Sequence, residues 1–311
     1  MASWQSRALR LGLRAFVKRP LQANSSNRGA SIAAMRRSAG GGAARYVRVP
    51  RDTRIVTIEG PSLRGEWVLP RAASETYDRA ILYVHGGAMV ACRPVQFRAF
   101  TIPLARATGV PVFVVDYRLA PEHRYPAALD DVVAAFEAMT ARIPGRRIVI
   151  AGDSAGGNLA LAALLALRAK RGEPKPVAGI VALSPWTDLG GTGASGRENA
   201  RSDDMLVVSE GDARIALAYA DEAAFTDPLV SPLYGDYSGA PPLLVFASTI
   251  ELVRDDAVRL VEKARAQGVD VEFVLEADMP HVWPVFQVIP EAKRALVTMR
   301  EFMERCWSVD V

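Results

Sequence analysis

One six-residue stretch limits the fold more than any other: Gly152-Asp153-Ser154-Ala155-Gly156-Gly157. It joins an apolar run, Arg147–Ala151, to a second apolar segment, 155–170, whose length suits a buried helix. Glycine at such a joint permits a turn too tight for side chains, and the turn pushes the serine hydroxyl out beyond the strand. A helix starting there aims its free N–H groups and the positive end of its dipole at whatever reacts beside it. The plainer alternative is a glycine-rich turn that only packs helix on strand. The G-x-S-x-G spacing in a strand–turn–helix setting favours the reactive reading.

The rest of the chain supports that setting. Short β-rich runs alternate with helical ones from about residue 54. Strands are predicted at Arg54–Ile58, Glu66–Leu69, Ala80–Val84, Val110–Asp116, Arg147–Ala151, Ala178–Ser184, Leu243–Ala247 and Val271–Leu275. Helices are predicted at about 95–107, 126–142, 155–170, 208–220, 254–267 and 290–306. Runs such as Val112-Phe113-Val114-Val115 and Ile148-Val149-Ile150 carry no polar alternation, so they read as strands buried on both faces of a parallel sheet. Eight strands with helical crossovers predict an α/β fold, doubly wound with helices on both faces. Two stretches stand outside the alternation, the first 50 residues and a polar insert at about 190–225. Inserts of this kind decorate the sheet edge where ligands bind, so both are expected to form a cap over residues 51–311.

The first stretch is chemically distinct. Residues 1–54 hold twelve Arg or Lys and a single acid, Asp52, whereas the remainder is net acidic. The excess base is therefore confined to an arm and does not argue for nucleic-acid binding. Arg7, Arg10, Arg14 and Lys18 fall on one helical stripe, and residues 3–18 read as an amphipathic helix stopped by Pro20. Arginines interrupt every candidate secretory core, while the Arg-rich, acid-poor composition is compatible with a transit peptide. The reading taken is a helix packed on the body with its basic face in solvent. Contact of that face with an anionic lipid surface is a secondary expectation. No run reaches the ~18 apolar residues needed to span a bilayer. Two isolated cysteines, Cys92 and Cys306, predict neither a disulfide framework nor a zinc site, and a cytoplasmic location is expected.

Further chemistry lies at the ends of other strands. His85-Gly86-Gly87-Ala88 follows Ala80–Val84 directly. Backbone N–H groups there can face the serine and hold a developing oxyanion, and Gly87, Ala88 and Ala155 are the candidate donors. Each such donor is worth roughly 10²–10³ in rate. This reading expects Ala88 to avoid positive φ. Of the three histidines, His85 heads that loop and His123 sits in a turn-rich stretch where it orders the chain. His281, in the loop after the last strand, is the candidate base, since this constellation runs nucleophile, acid, base along the chain. Glu251, Asp255 and Asp256 follow the penultimate strand. Glu251 is chosen because the two aspartates open the next helix, where the dipole alone favours them.

Together these segments resemble the hormone-sensitive lipase family of bacterial esterases, in its GDSAG branch. The resemblance runs from about residue 80 to 290. It rests on Tyr83–Ala88, on Asp116-Tyr117-Arg118-Leu119-Ala120-Pro121-Glu122 with Tyr125–Ala128, on Gly152–Asn158 and on Ser184–Leu189. It implies the α/β-hydrolase fold, a cap built partly from N-terminal helices, no cofactor or metal, and small-molecule esters with short to medium acyl chains. Pairing of two copies through edge strands or the last helices is a habit of such relatives. Ser248-Thr249-Ile250-Glu251 departs from the branch's usual G-S-D-E. Met89, where an aromatic residue is common, and Arg93 are expected to face the pocket together with Trp186.

The function expected is carboxylic-ester hydrolysis through an acyl-enzyme on Ser154, with His281 as base and Glu251 orienting it; His85, Gly86 and Asp153 support the site. An amidase or deacetylase would use the same groups. A non-catalytic receptor on this fold is the alternative from another class; the plant gibberellin receptor, a relative of that kind, lacks the histidine that His281 supplies here.

Overall fold

The computed structural model describes residues 2–40, 47–60, 63–70, 77–141, 143–144, 147–169, 177–209 and 214–308. Eight strands form one sheet: β1 Thr53–Glu59, β2 Arg64–Pro70, β3 Ala80–Val84, β4 Val112–Val115, β5 Ile148–Asp153, β6 Gly179–Leu183, β7 Leu243–Ser248 and β8 Val271–Glu276. Each lies within about two residues of its predicted place. Their order is β1-β2-β4-β3-β5-β6-β7-β8, with β3 to β8 parallel and β1 and β2 antiparallel at one edge.

The fully apolar strands divide their side chains by parity between two cores. Leu82, Val84, Ile150 and Val245 face one side, against α5 (Ala127–Thr140), α6 (Ala155–Ala169) and α9 (Arg254–Ala266). Ile81, Tyr83, Val149 and Phe246 face the other, against α4 (Arg98–Thr108) and α10 (Pro290–Ser308). The chain passes from β3 outward to β4, then returns to lay β5 on β3's other flank. Connections therefore leave β3 and β5 in opposite directions, which opens a crevice at their carboxyl ends. The two glycine-rich loops lie there.

The remaining helices are α1 (Trp4–Leu13), α2 (Arg19–Ala23), α3 (Arg28–Gly40), α7 (Ser195–Glu198) and α8 (Ala216–Tyr219). Three expectations are corrected here. Pro20 does not stop the first helix: a π-helical turn at Arg14–Lys18 intervenes, with Arg19 N–H bonded to Arg14 O, and α2 continues with Pro20 in its first turn. Proline is tolerated there because an N–H so early in a helix needs no partner. Of the basic stripe only Arg7 is exposed. Arg10 and Arg14 both bond the fully buried Asp204, and buried Lys18 donates to the carbonyls of Ala200 (2.9 Å) and Asp203 (2.5 Å). The helix predicted at 208–220 shrinks to α8 in its described part, and residues 210–213 lie outside it. Val207 and Val208, β-branched and poor helix formers, run without helix along a cavity wall.

Candidate active site

The turn after β5 is as tight as its glycines imply. A Cβ on Gly152 would stand 2.3 Å from Gly156 O, and one on Gly156 would stand 2.0 Å from Val84 O. Ser154 takes φ +53°, a left-handed conformation that costs about 1–3 kcal/mol for a side-chain-bearing residue. Its amide bonds Leu183 O on β6 at 2.8 Å, and its carbonyl accepts from Trp186 N–H at 3.1 Å. The neighbouring strand ends thereby hold the strained turn in place.

His281 reaches Ser154 from the loop after β8. Its Nε2 is 2.9 Å from Ser154 Oγ, and its Nδ1 is 3.2 Å from Glu251 Oε1. A carboxylate can only accept, so Nδ1 carries the proton and Nε2 presents its lone pair to the hydroxyl. Burial alone would push the imidazolium down. The hydrogen bond and charge of Glu251, aided by Asp203 and Asp153, overcome it and hold the His281 pKa above the ordinary histidine value. Glu251, fully buried, also accepts from Ser248 N–H (2.7 Å) and Val282 N–H (3.1 Å), so its carboxylate cannot swing away. Val282 is itself left-handed (φ +54°) and is pinned by that bond and a second one to Ser184 Oγ at 3.1 Å. Asp255 instead accepts from Ser195 N–H at 2.9 Å. Asp256 accepts from Asp188 N–H at 2.8 Å, and burial pushes its carboxyl up to about 8. Neither touches His281.

Opposite the serine, the loop after β3 closes a turn from Val90 N–H to Gly87 O at 3.0 Å, with Ala88 (φ +54°) and Met89 (φ +56°) both left-handed. The expectation that Ala88 avoids positive φ is thus not met; a two-residue turn of this hand requires φ > 0 at both central positions. Among the described residues the amides of Gly87, Ala88 and Ala155 have no protein acceptor. Asp153, one residue before the serine, clamps this loop to the turn: its Oδ1 accepts from Tyr83 OH (2.6 Å) and Gly86 N–H (3.0 Å). Burial raises the Asp153 pKa to about 6 against those two bonds. His85 donates from Nδ1 to Gly86 O at 2.8 Å and stacks on Tyr117 at 4.2 Å between centroids. Burial lowers its pKa to about 4, so it is neutral. Tyr117 OH in turn bonds His85 O at 2.8 Å, which gives the Asp116–Glu122 segment its place behind the loop. His123 is exposed.

A cavity of about 460 Å³ opens on Ser154, Ala88 and Trp186, with Leu21 and Met35 from the arm and Leu206 from the insert among its walls. Met89 and Arg93 do not line it. Met89 is fully buried because its left-handed backbone turns the side chain into the core, and Arg93 extends outward to Asp116 at 2.6 Å. No group of three His, Cys, Asp or Glu among the described residues could hold a metal ion.

Residues 81–285 match the α/β-hydrolase fold family, spanning both loops and the histidine. The chain belongs to that family, in its bacterial hormone-sensitive lipase branch. An acetyl-hydrolase of Streptomyces hygroscopicus is 38% identical over 76% of this chain and 78% of its own length. An esterase of Acinetobacter venetianus is 38% identical over 80% and 81%. A crystallised esterase of the bacterial hormone-sensitive lipase family superposes with TM-score 0.84 at 35% identity, over 99% of this chain and 100% of the other. Carboxylic-ester hydrolysis is the reaction class of this α/β-hydrolase.

Some residues around the site carry no sequence signal. Asp203, from the polar insert, accepts at Oδ2 from Leu252 N–H at 2.8 Å, next to Glu251. Asn199 Nδ2 donates to Thr249 O (3.0 Å) and Glu251 O (2.8 Å). Polar residues in a loop read as solvated; only their partners some 50 residues away show that they brace the glutamate. Arg36 on α3 is similar, bonding Val90 O at 2.8 Å and both carboxylate oxygens of Glu122.

Proposed function

We propose that this chain cleaves esters of short- to medium-chain carboxylic acids through an acyl-enzyme on Ser154, and that helices 1–50 with the 190–225 insert act as its cap. The observation that carries the reading is the row Ser154–His281–Glu251, at 2.9 and 3.2 Å, which runs from two buried side chains to a serine that lines the cavity. Ser154 Oγ attacks the ester carbonyl as His281 Nε2 takes its proton. Glu251 orients the imidazole and stabilises the imidazolium. The carbonyl oxygen gathers charge against the amides of Gly87, Ala88 and Ala155, which need no reorganisation to receive it. His281 then protonates the leaving alcohol. Water, deprotonated by the same nitrogen, attacks the acyl carbonyl, the acid departs and Oγ recovers its proton.

Asp153 serves as a positioning residue, because it fixes the donor loop relative to the nucleophile. Leu21 and Met35 of the arm and Leu206 of the insert line the cavity, which supports a cap that sets acyl length together with the sheet. Turnover of p-nitrophenyl esters from acetate to palmitate tests the reading. The expected profile peaks among the short and middle chains and falls at palmitate. A preference for p-nitroanilides over the matching esters would assign the site to amides instead.

A further inference from the structure

The arm's first helix is built inside out. Its bases Arg10, Arg14 and Lys18 are consumed within the protein, whereas Trp4 is 74% exposed, Leu11 70% and Phe16 80%. Trp4, Ala8 and Leu11 recur at helical spacing, and a Cβ at Gly12, between Leu11 and Phe16, would meet nothing within 4 Å. A helix at a water interface ordinarily presents the opposite face. At the margins of this apolar strip stand Arg7 and Arg19, both exposed and without an ion pair among the described residues.

We propose that this outer face is a docking surface for an anionic lipid interface. Three bulky apolar side chains would enter the acyl boundary, and Arg7 and Arg19 would meet the headgroups, the division of labour found in interfacial helices. Charge selects this occupant over a second copy of the chain. A two-fold contact sets the same patch against itself. It would bring the exposed Arg7 and Arg19 of one copy close to those of the other, with no Asp or Glu among residues 2–40 to offset them. The arm also supplies Leu21 and Met35 to the cavity wall, so a lipid surface held by its outer face sits on the cap side of the site.

Flotation of the full chain with vesicles tests this, using equal parts phosphatidylcholine and phosphatidylglycerol against phosphatidylcholine alone. Three proteins are compared: the wild type, a Trp4→Gln/Leu11→Gln/Phe16→Gln variant and an Arg7→Gln/Arg19→Gln variant. The wild type is expected to float with the anionic vesicles and far less with the neutral ones. The apolar variant should lose binding by about tenfold or more, and the arginine variant should lose its preference for anionic lipid. All three should hydrolyse soluble p-nitrophenyl butyrate equally, so lost flotation reports the surface and not the fold. The readout is independent of the esterase reading. A wild type that stays with the pellet, or an apolar variant that floats like it, overturns the proposal. So does a wild-type dimer, measured by light scattering, that the apolar variant converts to monomer.

Discussion

The two walls of the cavity are held by different physics. The sheet-end wall, formed by the turn at Ser154 and the loop at Gly87, is fixed by close approach. Glycines let backbone meet backbone where a single methyl would stand 2.0–2.3 Å from another atom, and short hydrogen bonds lock left-handed residues in place. The cap wall is fixed by charge. Asp204, fully buried, bridges Arg10 and Arg14. Crowded packing tolerates no added volume, whereas a buried ion pair tolerates no lost partner. The first wall should therefore break on gaining an atom, and the second on losing a charge.

The largest effect is expected at the sheet end. Gly156→Ala places its methyl 2.0 Å from Val84 O, a backbone atom that cannot move without shifting β3. Soluble, folded protein should be lost or strongly reduced, as read by circular dichroism and yield; a stable, active variant would show that the turn has slack.

Glu251→Gln keeps the shape of the same wall and removes its charge. A fall in kcat on the order of 10³–10⁴ is expected. Its pH profile sharpens the point. As the proposed base His281 works only when neutral, and Glu251 raises its pKa, so the acid limb of kcat/KM in the wild type is expected above the ordinary histidine value. Without the carboxylate that limb should move to lower pH. An unmoved limb would mean that Glu251 does not set the charge at His281.

Asp204→Asn addresses the cap. Because Arg10 and Arg14 are partly exposed, removing the Asp204 charge should loosen the arm by about 1–3 kcal/mol, less than breaking a fully buried pair, visible as faster amide exchange and proteolysis within residues 2–40 while the sheet stays protected. Activity on p-nitrophenyl butyrate should fall by about tenfold or less. That is far below the Glu251→Gln loss, because the reacting groups stay in place and only the cavity wall is disturbed. Equal loss of protection throughout the chain would erase the distinction between the two walls.

The same contrast explains what was legible in the sequence. Continuous apolar runs such as Val112–Val115 and Ile148–Ile150 marked the central strands, since only a sheet covered on both faces buries such runs, and the mixed β-rich runs at 54–58, 66–69 and 271–275 marked the outer ones. Gly152–Gly157, His85–Ala88 and His281 announce themselves because their chemistry needs those residue types at those places along the chain. The packing of the arm was not legible. Helical period shows that Arg7, Arg10, Arg14 and Lys18 share a stripe, but not whether that stripe faces water, and three of the four turned inward toward acceptors some 180 to 195 residues away. Asp203 and Asp204 resemble any solvated acidic pair until those partners are seen. Ala88 and Met89 were misjudged for a related reason: the turn's hand is set by the loop around it, and neither residue's own preference announces φ > 0.

The most direct test of the account is labelling by a fluorophosphonate probe, with Ser154→Ala as control. The account predicts one modified serine in the wild type, no labelling in Ser154→Ala, and ester turnover reduced by about 10⁴–10⁶ in that variant with its fold unchanged. Labelling that persists in Ser154→Ala, or a folded wild type that neither labels nor turns over any ester, would contradict it.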